Sequence, residues 1–206
     1  MAGIAPEVQR IITLSSGKSR GSNLLALHSY FTDEQLPLVV HRAIFTSAKA
    51  PAIPLCTERG IPSVVIGAKD MAIFEAALAT MVERENIALI ALCGFMKQLS
   101  KDFIVNIKIP ILNIHPALLP KYGGKDMYGM NVHRQVLDNH ELVSGATIHR
   151  VDPLYDHGEI IAQITTDISQ CHSAEEIAAK VLKVEHQIYG PAIYAEIRTH
   201  KAQNSH

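Results

Sequence analysis

An amide and an imidazole stand two residues apart in the segment ILNIHPALLP, as Asn113 and His115. Alternate residues of an extended strand face the same way, so both side chains are predicted to point toward one cleft. Pro116 favours an extended backbone at His115, because the proline ring disfavours the helical region for the preceding residue. A neutral N–H donor beside a basic ring suits the stabilisation of an oxyanion. The short pattern by itself favours a plainer interpretation, a turn asparagine and a structural histidine.

A second segment that suits chemistry is SSGKSRGSN, which joins the first predicted strand to the first predicted helix. Glycine allows a tight turn there, and the free N–H groups at a helix start bind phosphate well. The segment is not a Walker loop, because Ile12 stands where that motif requires a glycine, and it is not G-x-G-x-x-G. A plain strand-to-helix turn, with Ser22 or Asn23 capping the helix, explains it equally well.

The elements that must position these residues alternate between apolar runs and helical periodicity. Strands are predicted at residues 11–14, 39–45, 62–66, 87–92, 147–151 and 159–165. Helices are predicted at 23–30, 71–82 and about 173–198, where Ser173 and Glu176 form a capping pair, with another helix ending at Gly60. This order predicts an α/β fold with a doubly wound, mostly parallel, Rossmann-like sheet and helices on both faces. Ligands bind such sheets at the carboxyl ends of the strands, where the loops 15–23, 94–99 and 113–124 are predicted to meet.

Composition excludes several classes of protein. The chain has 206 residues, with 19 Lys plus Arg against 20 Asp plus Glu, and this balance argues against a nucleic-acid binder. No apolar run is long enough to span a bilayer, and MAGIAPEVQR lacks the layout of a secretion signal. The three scattered cysteines favour a reducing compartment, and no His or Cys spacing indicates a metal site. We therefore expect a cytoplasmic protein without a metal, forming one domain over residues 1–206; the sequence does not indicate its oligomeric state.

Five segments, in order along the chain, resemble those of the folate-dependent formyltransferases, and of the phosphoribosylglycinamide formyltransferases in particular. They are RIITLSSGKSRGSNLLAL, ALCGFMKQLS, NIHPALLPKY, SGATIHRVDPLYDHGEIIAQ and VEHQIYGPAI. The resemblance implies transfer of a formyl group from 10-formyltetrahydrofolate to the amine of glycinamide ribonucleotide, a step of purine biosynthesis. It also implies small-molecule partners only, with a phosphate-binding half at about 8–100 and a folate and catalytic half at about 101–200.

The resemblance assigns roles to individual residues of this chain. Asn113 would hydrogen-bond the formyl oxygen, protonated His115 would stabilise the oxyanion and serve as general acid, and Asp156 would pair with His115 and relay a proton through water. That pairing predicts a raised pKa for His115, because an opposite charge favours the charged form. The ribonucleotide would be held by Gly21, Ser22, Asn23 and Glu185. The folate would be held by Met96, Lys97, Gln98, Leu99, Asn113, Val151, Asp152 and Asp156.

Several positions depart from the family pattern. Lys97 replaces a common arginine, Asn131 a common histidine and His157 a common glycine, while Leu182 stands where some members use a lysine for the phosphate. The run KYGGKDMYGMNVHR is longer than usual. Its residues 123–131 are predicted to form a mobile lid, with glycines as hinges.

Three other functions fit parts of the sequence. The first is a formyltransferase for another amine, such as a sugar nucleotide or methionyl-tRNA, although the tRNA enzymes carry an extra carboxyl-terminal domain that is not expected here. The second is a formyltetrahydrofolate hydrolase, whose usual regulatory domain would need more chain before the first strand. The third is a non-catalytic ligand-binding protein on the same fold, which the joint presence of Asn113, His115 and Asp156 disfavours.

Overall fold

The computed structural model describes residues 7–204. Its strands are β1 (Gln9–Ser15), β2 (Leu38–Phe45), β3 (Ser63–Val65), β4 (Ile87–Leu92), β5 (Ile111–His115), β6 (Val143–Arg150) and β7 (Ile160–Asp167). Its helices are α1 (Ser22–Asp33), α2 (Ala52–Glu58), α3 (Met71–Arg84), α4 (Lys101–Asn106), α5 (Met130–Asp138) and α6 (Ala174–Asn204). No helix within these residues combines the length and hydropathy that a membrane crossing requires.

The strands form one sheet in the order β3-β2-β1-β4-β5-β6-β7. The pairs from β3 through to β5 are parallel, whereas β6 and β7 continue the sheet antiparallel. The predicted α/β class with a mostly parallel sheet is thus confirmed. In this order β2 and β3 lie on one side of β1, and β4 to β7 lie on the other. The carboxyl ends of β1 and β4 therefore meet where such sheets bind ligands.

Apolar side chains cover both faces of the sheet. Ile11 and Ile12 of β1 belong to different core clusters, because successive strand residues point to opposite faces. The cluster of Ile11 includes Leu27 of α1 and Ile193 of α6. The cluster of Ile12 includes Leu78 of α3. Helices on both faces were expected from right-handed crossovers, and the structure confirms them.

Most predicted elements are present, with ends that differ by a few residues, and β4 has the predicted bounds. The predicted capping pair of α6 is also confirmed, since Ser173 Oγ accepts the N–H of Glu176 at 3.2 Å. The carboxylate of Glu176 accepts the N–H of His172 at 2.6 Å. The sequence prediction lacks α4 and α5. The first has only 6 residues, too few to show periodicity, and the second begins inside the segment predicted to be a lid.

Tyr189 of α6 ties the helix to the site end of the sheet. Its side chain is 1% exposed, and its hydroxyl lies 3.0 Å from the carbonyl oxygens of both Leu92 and Leu112. A hydroxyl has a single proton, so it donates to one carbonyl at a time. Leu92 ends β4, and Leu112 precedes Asn113 in β5. The buried hydroxyl of Tyr189 thus fixes the backbone next to Asn113 by a hydrogen bond.

Candidate active site

A cavity of about 430 Å³ opens at the carboxyl ends of β4 and β5. The three residues predicted to be catalytic, Asn113, His115 and Asp156, all line it. Asn23 and Glu185, predicted for the ribonucleotide, line it as well. So do the remaining predicted folate contacts, Met96, Lys97, Gln98, Leu99, Val151 and Asp152. Residues that lie far apart in the sequence therefore converge on one cavity.

A continuous polar chain runs along the cavity wall through Asn113, His149, Asp156 and His115. Strands β5 and β6 pair with Asn113 opposite His149, and the Asn113 amide nitrogen lies 3.0 Å from His149 Nε2. The same Nε2 lies 3.5 Å from Asp156 Oδ1, and Asp156 Oδ2 lies 3.5 Å from His115 Nδ1. Both histidines are 3% exposed, so charge on one group of this polar chain strongly affects its neighbours.

Hydrogen-bond partners decide where the protons of the polar chain lie. His115 Nε2 is 2.7 Å from the carbonyl oxygen of Tyr122, which can only accept, so Nε2 carries a proton. His149 Nδ1 likewise donates to the carbonyl of Arg150 at 3.0 Å, and its Nε2, when neutral, accepts from the Asn113 amide. An amide nitrogen carries two protons, so one N–H of Asn113 stays available. His115, by contrast, has both ring nitrogens engaged by the protein.

The expectation that His115 has a raised pKa is wrong. Burial lowers the pKa of His115, and this effect outweighs the charge of Asp156 and the carbonyl of Tyr122, which both raise it. The buried imidazolium loses more hydration than it regains from a carboxylate 3.5 Å away. A negative charge that forms on a bound substrate would raise the pKa of His115, as the charge of Asp156 does. The ring would then be protonated at the stage where its positive charge can stabilise that negative charge.

Asp156 is held as an ionised carboxylate. Burial alone would raise the pKa of Asp156, but its interactions with the neighbouring His149 and His115 and the N–H of Gly124 together lower it. That N–H donates to Asp156 Oδ2 at 3.0 Å. The turn carrying Gly124 packs closely here, because a Cβ on Gly123 would overlap Leu119 Cδ2 and lie 3.2 Å from the Cβ of Asp156. A larger residue at position 123 would therefore require these two side chains to shift.

The end of the cavity that is predicted to hold the ribonucleotide contains a buried carboxyl group. Glu185 is 7% exposed and accepts a hydrogen bond from the Asn23 amide at 2.9 Å. Burial raises the pKa of Glu185 to about 7, although the bond from Asn23 opposes the shift. A carboxyl group that is partly protonated near neutral pH can both accept from and donate to a ligand hydroxyl.

The glycine segment differs in detail from its prediction. Gly21, not Ser22 or Asn23, occupies the cap position of α1, and no side chain caps the helix. The N–H of Gly21 donates to Ser19 Oγ at 3.1 Å. The N–H groups of Ser22 and Asn23 lie in the uncapped first turn, where an anion can bind. Neither Gly21 nor Ser22 lines the cavity itself.

The residues that depart from the family pattern lie around the site, and none of them is part of the polar chain. Lys97 lines the cavity with an exposed side chain. His157 Nδ1 lies 3.0 Å from Asp152 Oδ2, closing the loop that carries Asp156. Asn131 lies in α5, and Leu182 is half-buried in α6 outside the cavity lining.

Sequence reasoning missed three groups that the structure brings to the polar chain. His149 is not among the predicted site residues, yet it lies between Asn113 and Asp156. The carbonyl of Tyr122 and the N–H of Gly124 are backbone groups, which no sequence motif reports. The register that places His149 opposite Asn113 would have identified it, but strand register is a tertiary property. The segment after Gly124 also lines the cavity, through Lys125, Asp126, Met127 and Tyr128.

The buried His133 of α5, beside this site, is expected to make the free energy of unfolding depend on pH. It is 6% exposed, and its Nδ1 has no hydrogen-bond partner among the described residues. Burial, and then the charge of His115, lower the pKa of His133 from 6.5 to about 4. Between these values the unfolded chain binds more protons than the folded one. The free energy of unfolding therefore falls as pH falls through this range, by about 2 kcal/mol from this group between pH 7 and pH 4.5.

Urea unfolding of His133→Asn at both pH values checks this expectation. The variant should lose less stability on acidification than the unmodified protein. His140→Asn, at an exposed position, is the control and should keep the full pH dependence. Equal acid sensitivity in His133→Asn and the unmodified protein would show that other groups account for the effect.

The amino-acid sequence and the fold are similar to those of known proteins over most of the chain. The formyl transferase family model matches residues 9–193. The chloroplastic phosphoribosylglycinamide formyltransferase of Vigna unguiculata is 33% identical over 178 residues, which are 85% of this chain and 57% of that protein. The trifunctional purine biosynthetic protein adenosine-3 of Bos taurus is 33% identical over 195 residues, 92% of this chain and 18% of that protein. This chain thus spans only part of the length of these curated relatives.

Two solved structures superimpose on this chain over most of their length. The phosphoribosylglycinamide formyltransferase from Brucella melitensis superimposes with a TM-score of 0.81 at 30% identity, covering 93% of this chain and 96% of that one. The enzyme of that name from Anaplasma phagocytophilum gives a TM-score of 0.81 at 29% identity, covering 94% and 89%. Since the family model matches from β1 into α6 and the solved relatives share the same architecture, this chain belongs to the formyl transferase family.

Proposed function

We propose that this protein transfers a formyl group from 10-formyltetrahydrofolate to the amine of glycinamide ribonucleotide, in purine biosynthesis. The observation that carries the proposal is the polar chain, in which Asn113, His115 and Asp156 meet on one cavity wall through His149. Relatives named as phosphoribosylglycinamide formyltransferases support the choice of acceptor. The acceptor and the donor are small molecules, as the size of the cavity suits.

In the proposed reaction the amine nitrogen attacks the formyl carbon, and the carbonyl electrons move onto oxygen. The available N–H of Asn113 donates to this oxyanion, and the His115 ring, when protonated, stabilises it by its charge. The attacking nitrogen becomes an ammonium and gives a proton to ionised Asp156 through a water molecule. The oxyanion then re-forms the carbonyl group and the bond from the formyl carbon to the folate nitrogen breaks, while that nitrogen takes up the proton that Asp156 received. The products are the formylated ribonucleotide and the deformylated folate.

The two substrates would occupy the two ends of the cavity. We assign the phosphate to Gly21, Ser22 and Asn23, largely through the N–H groups at the start of α1, and the ribose to Glu185. We assign the folate to residues 96–99, to Val151 and to the loop from Asp152 to Asp156. On this proposal residues 1–206 act as one domain, with a phosphate-binding half at about 8–100 and a folate and catalytic half at about 101–200.

An assay of the purified protein tests this function. It would supply the formylated folate with glycinamide ribonucleotide, follow the folate product by absorbance, and measure formate release in parallel. We expect folate product and formylated ribonucleotide in equal amounts, with little free formate. An amino sugar nucleotide serves as the alternative acceptor. Formate release without transfer, or faster transfer to the sugar nucleotide, would overturn the proposal.

The mobile lid remains a prediction, and we restrict it to fewer residues than the sequence indicates. Gly123 packs against Asp156 and Asn131 belongs to α5, so the part free to move is residues 124–129 rather than 123–131. Gly124 and Gly129 both have positive φ, at 97° and 55°. We expect hydrogen exchange in 124–129 to slow when a folate analogue binds, while β4 exchanges at an unchanged rate. Equal protection of 124–129 with and without the analogue would rule out a lid.

A further inference from the structure

Tyr122 links a packed cluster, a surface carboxylate and the candidate active site. Its ring packs against the cluster of Val136, Ile168, Ile177 and Val181. Its hydroxyl donates to Glu141 Oε1 at 2.8 Å. Its carbonyl oxygen accepts the N–H of His115 Nε2 at 2.7 Å. These three contacts involve the ring, the hydroxyl and the backbone of a single residue.

The backbone of Tyr122 adopts a conformation that must be held in place. Its φ is 58°, in the left-handed region that residues with a Cβ rarely adopt. Such a conformation persists where the surroundings determine it from several sides. Here the ring is fixed by packing and the hydroxyl by Glu141, so the carbonyl is directed at His115. Relaxation of Tyr122 toward the common helical or extended regions would turn this carbonyl away from the ring.

The rest of the turn is anchored in the same way. Before Tyr122, the N–H of Leu119 donates to Thr147 Oγ1 at 3.0 Å, and Gln163 donates to the carbonyl of Leu119 at 2.8 Å. After it, the N–H of Gly124 donates to Asp156. The turn therefore holds both members of the His115 and Asp156 pair, each through a backbone group.

We infer that Tyr122 is a positioning residue for His115: its hydrogen bond to Glu141 holds the carbonyl that keeps one proton on Nε2. The neutral ring then has its lone pair on Nδ1, the nitrogen facing Asp156. The proton that converts the neutral ring into its cation is therefore the one bound at Nδ1, the nitrogen beside Asp156. Burial, together with Glu141, raises the pKa of Tyr122 to about 12, so the hydroxyl remains a donor at neutral pH. The effect on turnover rests on the proposed function; the effect on the His115 tautomer does not.

The chain offers a matched control at the same carboxylate. Lys121 Nζ also lies 2.9 Å from Glu141 Oε1, and its side chain is 70% exposed. Lys121→Met removes a bond to Glu141 without touching the route from Tyr122 to His115. Tyr122→Phe removes the other bond to Glu141 and leaves the ring to pack as before.

Nitrogen-15 NMR of histidine-labelled protein tests the inference without any substrate. In the unmodified protein the neutral His115 should carry its proton on Nε2, and this proton should exchange slowly. In Tyr122→Phe we expect a mixture of the two neutral tautomers and faster exchange of the Nε2 proton. In the formyl-transfer assay, the kcat of this variant should fall about tenfold, as for the loss of one hydrogen bond, with KM nearly unchanged.

Two further variants complete the test. Glu141→Ala should give the same tautomer mixture as Tyr122→Phe, and the double variant should be no worse than either single one. Lys121→Met should resemble the unmodified protein. A pure Nε2 tautomer in Tyr122→Phe overturns the inference, and Glu141→Ala decides it if Tyr122→Phe does not fold. If the unmodified protein transfers no formyl group, the proposed function fails, while the tautomer measurement still decides the role of Tyr122.

Discussion

Asp156→Asn is expected to lower kcat by roughly a hundred- to ten-thousandfold while both substrates still bind. The carboxylate has a lowered pKa and remains ionised between His149 and His115, so it can accept the proton that leaves the attacking amine. Asparagine has nearly the same shape but cannot accept that proton. The substitution should therefore lower kcat and leave the dissociation constants of both substrates nearly unchanged.

Steady-state kinetics and calorimetry with each substrate would separate these two effects. NMR titration of Asp156→Asn should also show a further fall in the His115 pKa, since the charge of Asp156 is the main influence that raises it against burial. Asp138→Asn, exposed at the end of α5, is a control for the loss of one negative charge. Near-normal turnover, or an unchanged pKa for His115, would return Asp156 to the role of a turn residue.

Asn113→Ala is expected to lower kcat by roughly a hundred- to a thousandfold, as the loss of one oxyanion donor typically does. One amide proton of Asn113 faces His149 Nε2 at 3.0 Å, and the other is available to a formyl oxygen. That oxygen becomes a strong acceptor only as negative charge develops on it. The interaction is thus worth more in the transition state than in the bound substrate, and KM should change much less than kcat.

Asn113→Asp provides a matched comparison, because it keeps the side-chain shape and replaces the N–H donor by oxygen. We expect it to be at least as impaired as Asn113→Ala, since a second carboxylate near the oxyanion repels it. Both variants would be measured under saturating and limiting concentrations of each substrate. A loss confined to KM in Asn113→Ala would assign the amide to ground-state binding instead.

Much of the architecture follows from local patterns in the sequence. The all-apolar run of β4 predicts a strand buried on both faces, and the structure has it between β1 and β5. Ser173 and Glu176 mark the start of α6 because capping involves only neighbouring residues. Where local signals are short, prediction failed. The helix α4 has 6 residues, and α5 follows a glycine-rich run that resembles a loop.

The ordered motifs around Asn113, His115 and Asp156 identify which side chains are available for chemistry. How these side chains act together depends on contacts that form only in the folded protein. The antiparallel register of β5 and β6 sets His149 opposite Asn113, and the turn at Tyr122 supplies the carbonyl that holds His115. Burial, which depends on every element packed around the site, turns the expected rise in the His115 pKa into a fall. Desolvation and register both arise from contacts between distant segments, and no local pattern of residues encodes either of them.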